Sequence, residues 1–319
     1  RATRSENSRR ERLHTYCYFP TMKVALEKDF RPGMSGIRNL DPVGWVFAAM
    51  NLIFLICAVG LGCFLLVESV PVVRSEGLGF WLGENWWVGE TFGALPMICG
   101  SLIVTGLAVS LVLPVALSGA LFTSEYLVPS FRRRVKGVME LLAGVPGIIY
   151  GLLGVSFLTV GIKDVLNLLD GNTLFTAGCL LAIMILPTVL TLSEDALHSV
   201  PAEFREAAEG LGLTKLQTAW RVVLPQSLPG IAGAVLLGVG RAMGETIAVM
   251  LVIGSLDKVP GFNIFVSGQT IPSKLGREAA EALGSGLHWS ALMGLGLTLF
   301  LMVAVLTFSG NIFSKWRSR

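Results

Sequence analysis

The chain has 319 residues, of which 15% are charged and 53% hydrophobic, with a formal net charge of +3 and a mean hydropathy of +0.67. Ordinary soluble domains carry about 25% charged residues, so these values exclude one and indicate an integral membrane protein. So small a net charge also excludes any argument from overall electrostatics; what informs is where the charges sit.

Residues 1–42 hold nine Lys/Arg, five Asp/Glu and no long apolar run. They lack the apolar stretch and cleavage site of a secretory signal and read as a basic cytosolic N-terminal arm. Its "HTYCYFP" stretch, His14 to Pro20, is either a metal- or partner-binding cluster or part of a surface-adsorbed tail.

A membrane-crossing helix needs about 20 mostly apolar residues. Six stretches qualify: 43–67, 94–122, 136–160, 173–197, 228–255 and 288–313. Pro114, Pro146 and Pro187 fall inside them, as membrane helices tolerate. The predicted fold class is an all-α integral membrane protein with six transmembrane helices. If both termini are cytosolic, 19 of the 25 Lys/Arg lie on that side, five on the other, and Arg241 alone lies within a span. Such a bias sets orientation by the positive-inside rule.

Between spans one and two, Trp81, Trp86 and Trp87 fit a headgroup belt or a docking surface for an external partner. Cys57, Cys63, Cys99 and Cys179 lie in apolar runs and Cys17 in the arm, so they read as small apolar residues and not as a disulfide framework. Glu140 is expected to pair with the adjacent basic cluster, and Glu194 and Asp195 to mark the cytosolic end of span four. His288, at the start of span six, is expected to make a structural hydrogen bond.

The segment 198–227 is too polar to span. Pro201 opens a helix, "AEFREAAEGL" continues it, and Gly212 makes a turn. A second short helix follows, with Leu216, Ala219, Trp220 and Val223 on one stripe, and Pro225 ends it. Span five contains "GRAMGET". Arg241 lies about 13 residues in, roughly 20 Å deep, and Glu245 follows at i+4 on the same helix face, within pairing reach. A lone charge at mid-bilayer costs at least ~2.5–3.5 kcal/mol, so the pair calls for a function or a structural lock. The sequence holds no Gly-x4-Gly-Lys-Ser/Thr phosphate loop, no HExxH, no CxxC and no nucleophile elbow, so no enzymatic activity is expected.

The spacing Glu206-Ala207-Ala208, Gly212, Val222, Leu224-Pro225 resembles the coupling motif of permease subunits of bacterial ABC importers. The runs Phe92 to Thr105, Glu140 to Gly154, Gly238 to Gly254 and Ser285 to Phe300 are similar to permeases of the phosphate-specific import system, of the C-subunit type. The resemblance covers roughly residues 45–316. It implies the type I ABC importer permease fold over residues 43–316, preceded by the arm 1–42. It also implies a homologous second permease, an ATPase dimer that binds ATP and Mg, and an extracytoplasmic phosphate-binding protein. This chain itself would hold no cofactor and no metal. Glu206, Ala207, Ala208, Gly212, Leu224 and Pro225 would grip the ATPase. Arg241, Gly244, Glu245 and Thr246 would line the substrate route, where a guanidinium fork matches phosphate oxygens. Sulfate or molybdate, which are also tetrahedral anions, and a membrane scaffold or sensor of phosphate status remain as alternatives.

Overall fold

The computed structural model describes residues 42–261 and 263–317, so the arm 1–41, with Cys17 and the His14–Pro20 stretch, lies outside the described residues. By contacts the chain forms two units, 1–59 and 60–319. In the first, the described residues belong to α1 (Pro42–Glu76), whose apolar side chains, among them Phe47 and Phe54, are exposed as a lipid-facing helix requires.

In the second unit, a short α2 (Gly79–Leu82) and a hairpin of β1 (Trp86–Trp87) and β2 (Thr91–Phe92) lead to α3 (Leu95–Glu125). Then come α4 (Pro129–Ala143), a third span built from α5 (Gly147–Leu153), a π-helical turn Gly154–Thr159 and α6 (Val160–Leu166), and α7 (Leu174–His198). An elbow of α8 (Ala202–Gly210) and α9 (Lys215–Thr218) runs through a π turn, Ala219–Val223, into α10 (Leu224–Met243). After it come α11 (Ile247–Val252), α12 (Ile271–Ala282) and α13 (Leu287–Arg317). Six helices are long and apolar enough to cross a membrane.

The core is the α3–α7 pair. Val104, Ala108, Val112 and Ala116 recur every four residues on α3 and meet Leu181, Ile185 and Val189 of α7. Small residues at this spacing let two helices approach closely, which supplies the packing that membrane helices lack from the hydrophobic effect. The approach is tightest where α3 meets the loop before α12. A Cβ on Gly100 would stand 2.0 Å from the Gln269 carbonyl oxygen, and one residue on, the Ile271 N–H donates to Ser101 Oγ at 2.9 Å. Gly100→Ala is therefore expected to cost about 1–3 kcal/mol by overpacking, measured as a lower melting temperature of the detergent-purified protein.

Three expectations need correction. The basic cluster at 132–136 is not a loop leading into a span. Residues 129–143 form their own helix, which stops before Pro146, and the third crossing is Gly147–Leu166. Proline disfavours the helical conformation of Val145, which explains the stop. Pro225 does not end the second elbow helix, because the chain stays helical from Lys215 to Met243. The π turn lets the Leu224 N–H reach the Ala219 carbonyl, and this wider turn accommodates a proline that a regular α-helix would reject. The fifth span is not continuous to residue 255, since α10 ends at Met243 and α11 begins at Ile247.

Candidate functional site

The break at Gly244–Thr246 decides what the two charges of "GRAMGET" do. With no continuous helix between them, Arg241 and Glu245 form no ion pair; instead each serves a different helix end. Arg241 Nη2 donates to the Ala143 carbonyl at 3.0 Å, which caps the C-terminus of α4. Tyr150 Oη donates to the neighbouring Leu142 carbonyl at 2.9 Å. Glu245 Oε1 accepts the Ala248 N–H at 3.2 Å in the first turn of α11. A cation at a helix C-terminus and an anion at an N-terminus both match the macrodipole. The expected i, i+4 pairing is overturned for this reason.

Close packing holds the break on both sides. A Cβ on Gly147 would meet Glu245 Oε1 at 2.7 Å, and one on Gly276 would meet Thr246 Cγ2 at 2.7 Å. Thr246 Oγ1 lies 3.4 Å from the Gly244 carbonyl. A small void beside Glu245 is lined by Ser101, Thr105 and Thr270 among others. Arg241 and Gly244 are exposed, whereas Glu245 and Thr246 are half-buried. Gln226, Gly230, Leu237, Arg241 and Gly244 are all exposed and follow helical spacing, so α10 presents one open face. The guanidinium lies at its far end. Among the described residues its only hydrogen bond goes to Ala143, which leaves Nε and Nη1 to donate elsewhere.

At the elbow, Gly212 adopts φ +85°, as a glycine turn between two helices requires. Thr214 and Gln217 form a reciprocal capping box that starts α9. Of the coupling-motif residues, Ala208 is buried, Leu224 packs partly against the cluster of Leu197, Val223 and Ile231, and Glu206, Ala207, Gly212 and Pro225 are exposed. The predicted stripe splits in two. Ala219 and Val223 are buried, while Leu216 and Trp220 face outward, as do Phe204 and Leu211. Four large apolar side chains thus project from a charged segment.

Three ion clusters were not predicted as such. Arg205 donates through Nε (3.2 Å) and Nη2 (2.9 Å) to the two oxygens of Glu125 at the end of α3, and also to the Leu197 carbonyl in the last turn of α7 and the Val200 carbonyl just beyond it. Glu194, which is 1% exposed, lies 2.5 Å from Arg132 Nε, and Lys136 pairs with Asp195. Glu194 and Asp195 thus do stand at the elbow end of α7, but Glu140 makes no ion pair among the described residues. Neither Arg205 nor Glu125 announces its partner in sequence, because the two are 80 positions apart.

The third cluster joins α12 to α13 and the hairpin. Lys274, 2% exposed, pairs with Asp257 at 2.8 Å and Glu278 at 2.6 Å, and sits 5.2 Å over the Trp86 ring. His288 Nε2 lies 3.0 Å from Glu278 Oε2, the structural hydrogen bond expected of it, and Trp86 Nε1 donates to the same oxygen. Trp86 is therefore a core residue and not part of a headgroup belt, whereas Trp87 is exposed. Cys57 and Cys63, expected to be buried, are exposed along α1.

Burial raises the Glu278 carboxyl, but hydrogen bonds from Lys274, His288 and Trp86, with the Lys274 charge, outweigh it and hold it below its ordinary 4.5. A depressed carboxyl stabilises the fold fully above that ordinary value, and the contribution fades as pH falls through the lower folded-state value. Thermal stability is therefore expected to drop with acidification below pH 4.5, and Glu278→Gln to flatten that dependence. Melting curves from pH 6 to pH 3 check this; an unchanged slope in the variant assigns the acid sensitivity to other groups.

Comparison with known proteins adds to this geometry. Residues 113–319 match the family described as binding-protein-dependent transport system inner membrane component. The phosphate transport system permease protein PstC of Pasteurella multocida is 38% identical over 280 residues, covering 81% of this chain and 86% of that protein. PstC of Mesorhizobium japonicum is 34% identical, covering 80% and 83%. The inward-facing MetNI methionine ABC transporter shares the fold at a TM-score of 0.54 and 17% identity, covering 71% of this chain and 95% of its own.

Proposed function

We infer the role of this chain from its family: it belongs to the binding-protein-dependent transport system inner membrane components and, among them, to the PstC phosphate transport permeases. It is the multi-pass permease subunit of an ATP-driven importer of inorganic phosphate, with the six-span type I ABC importer fold. The chain supplies the route, and ATP with Mg is bound and hydrolysed on a separate ATPase dimer seated against the elbow. A homologous second permease covers the open face of α10, and an extracytoplasmic binding protein delivers phosphate at the opposite end. Both termini lie in the cytosol, as the 19-to-5 division of Lys/Arg supports.

One observation carries this reading: Arg241 is exposed at the helix break, held by a single hydrogen bond to Ala143 and otherwise free to donate. A guanidinium so anchored presents a preformed fork to a tetrahedral oxyanion without being spent on a carboxylate. Glu245, turned instead to the start of α11, adds negative charge near the route and keeps the anion from being trapped. Gly244, exposed beside Arg241, adds no side chain to the open face.

Co-purification and reconstitution test the proposal. The tagged chain is expected to bring along one homologous permease and two ATPase subunits, and ATP hydrolysis by the assembly to depend on phosphate-loaded binding protein. Uptake of labelled phosphate that sulfate or molybdate suppresses equally would shift the assignment to a broader oxyanion permease.

A further inference from the structure

The anion site and the elbow are joined by a helix that neither role accounts for. α4 has 15 residues, roughly 22 Å at 1.5 Å each, and none of them is fully buried. It is tied along its N-terminal half and at its C-terminus, with Met139 between packing partly against the core. In the N-terminal half, Arg132 meets the buried Glu194 at 2.5 Å and donates through Nη1 to His198 Nδ1 at 2.7 Å, and Lys136 pairs with Asp195. These three partners lie in the last turns of α7. The Leu197 carbonyl in the last turn of α7 and the Val200 carbonyl just beyond it are the ones Arg205 of the elbow holds. At the C-terminal end of α4, the Ala143 carbonyl carries Arg241.

We propose that α4 is a connecting rod: Arg132 and Glu194 are positioning residues that transmit movement of the elbow, through the end of α7, to the guanidinium of Arg241. The elbow already moves α10 directly, because the chain is helical from Lys215 to Met243. The rod gives the same input a second path to the same arginine. Arg241 is then displaced by its own helix and by its hydrogen-bond acceptor in concert, so its grip on an anion changes with the state of the motor. Coupling through such a path needs a tie at each joint, and the ionic contacts at 132–194 and 136–195 supply one joint while the carbonyl at 143 supplies the other. A helix cemented in the core would have no freedom to act in this way; α4, with its side chains half-buried or exposed, has it.

The inference rests on the phosphate-import reading and can fail separately from it. Labelled phosphate uptake and ATP hydrolysis are measured together in proteoliposomes holding the complete transporter and phosphate-loaded binding protein. Wild type that moves no phosphate refutes the import reading itself. With wild type active, Arg132→Gln is expected to assemble normally, to keep stimulated ATP hydrolysis, and to lose about tenfold in phosphate moved per ATP. Arg132→Lys should recover most of that ratio, since it restores the charge opposite Glu194. Glu194→Gln combined with Arg132→Gln should fall little further than either alone, as two ends of one joint do. An unchanged ratio in Arg132→Gln overturns the proposal. Failure of both Arg132→Gln and Glu194→Gln to assemble overturns it too, because the pair then serves only to hold the fold.

Discussion

Arg241→Gln is expected to lower phosphate uptake by about 10–100-fold while the transporter still assembles. The size follows from what is removed, a charge-assisted hydrogen-bond donor worth about 1.5–3 kcal/mol to its anion, at roughly 1.4 kcal/mol per tenfold. Assembly is expected to survive because the side chain is exposed, so the Ala143 carbonyl it leaves can be hydrated. The same argument extends to lysine. Arg241→Lys keeps the charge and can still cap α4 but loses the planar fork, so partial uptake, between wild type and Gln, is expected. Uptake assays on whole cells lacking other phosphate importers, with membrane levels of the chain checked by immunoblot, decide it. Uptake near wild type in the Gln variant assigns Arg241 to helix capping alone. Glu245→Gln is the companion case: its amide oxygen can still accept the Ala248 N–H, so a change in uptake there reports charge near the route and not a lost cap.

What could be read before the fold was known depended on whether a residue's role is local. The elbow was legible because its parts are: Gly212 must take a positive φ, and the helices on either side carry their own start signals at Pro201 and Thr214. The crossings were legible from length and apolarity, apart from the third, where the apolar half of α4 blurred into α5 across Pro146, and the fifth, which is helical from Lys215 and breaks after Met243. "GRAMGET" was misread because i, i+4 pairing assumes a continuous helix. Gly244 followed by Glu245 and Thr246 is a weak break signal within an apolar run, and only the tertiary positions of Ala143 and Gly147 show where the two charges go. Arg205 was invisible for a related reason. Its targets, Glu125 and two carbonyls in and just beyond the last turn of α7, are brought to it by the fold and leave no periodic trace. Lys274 lies between these cases, since Glu278 at i+4 is a local partner while Asp257 is not.

Glu206→Lys is expected to abolish the stimulation of ATP hydrolysis by loaded binding protein and to cut coupled uptake by about 100-fold. α8 has nine residues, and its charges divide by face. Arg205 turns inward to Glu125 and the end of α7, whereas Glu206 is exposed. Glu206 therefore does nothing for the fold of this chain, and reversing its charge should leave the protein stable. Its neighbours are also unspent: Phe204, Leu211, Leu216 and Trp220 are exposed at 45%, 82%, 56% and 57%. A charge seated within a protein interface is desolvated when the partner closes over it, and losing its counter-charge there costs about 2–5 kcal/mol. A rim charge would cost far less, so Glu203→Lys, in the first turn of the same helix, is the contrast, with an expected loss of about 0.3–1 kcal/mol from the helix macrodipole. If the two reversals weaken stimulated hydrolysis equally, the elbow is docked by general charge and not by a seated Glu206. If Glu206→Lys leaves stimulation intact, the ATPase grips another surface. Trp220→Ala is a second test of the same seating, because removal of an aromatic anchor from an interface lowers co-purification of the ATPase itself, as Glu206→Lys is expected to do too.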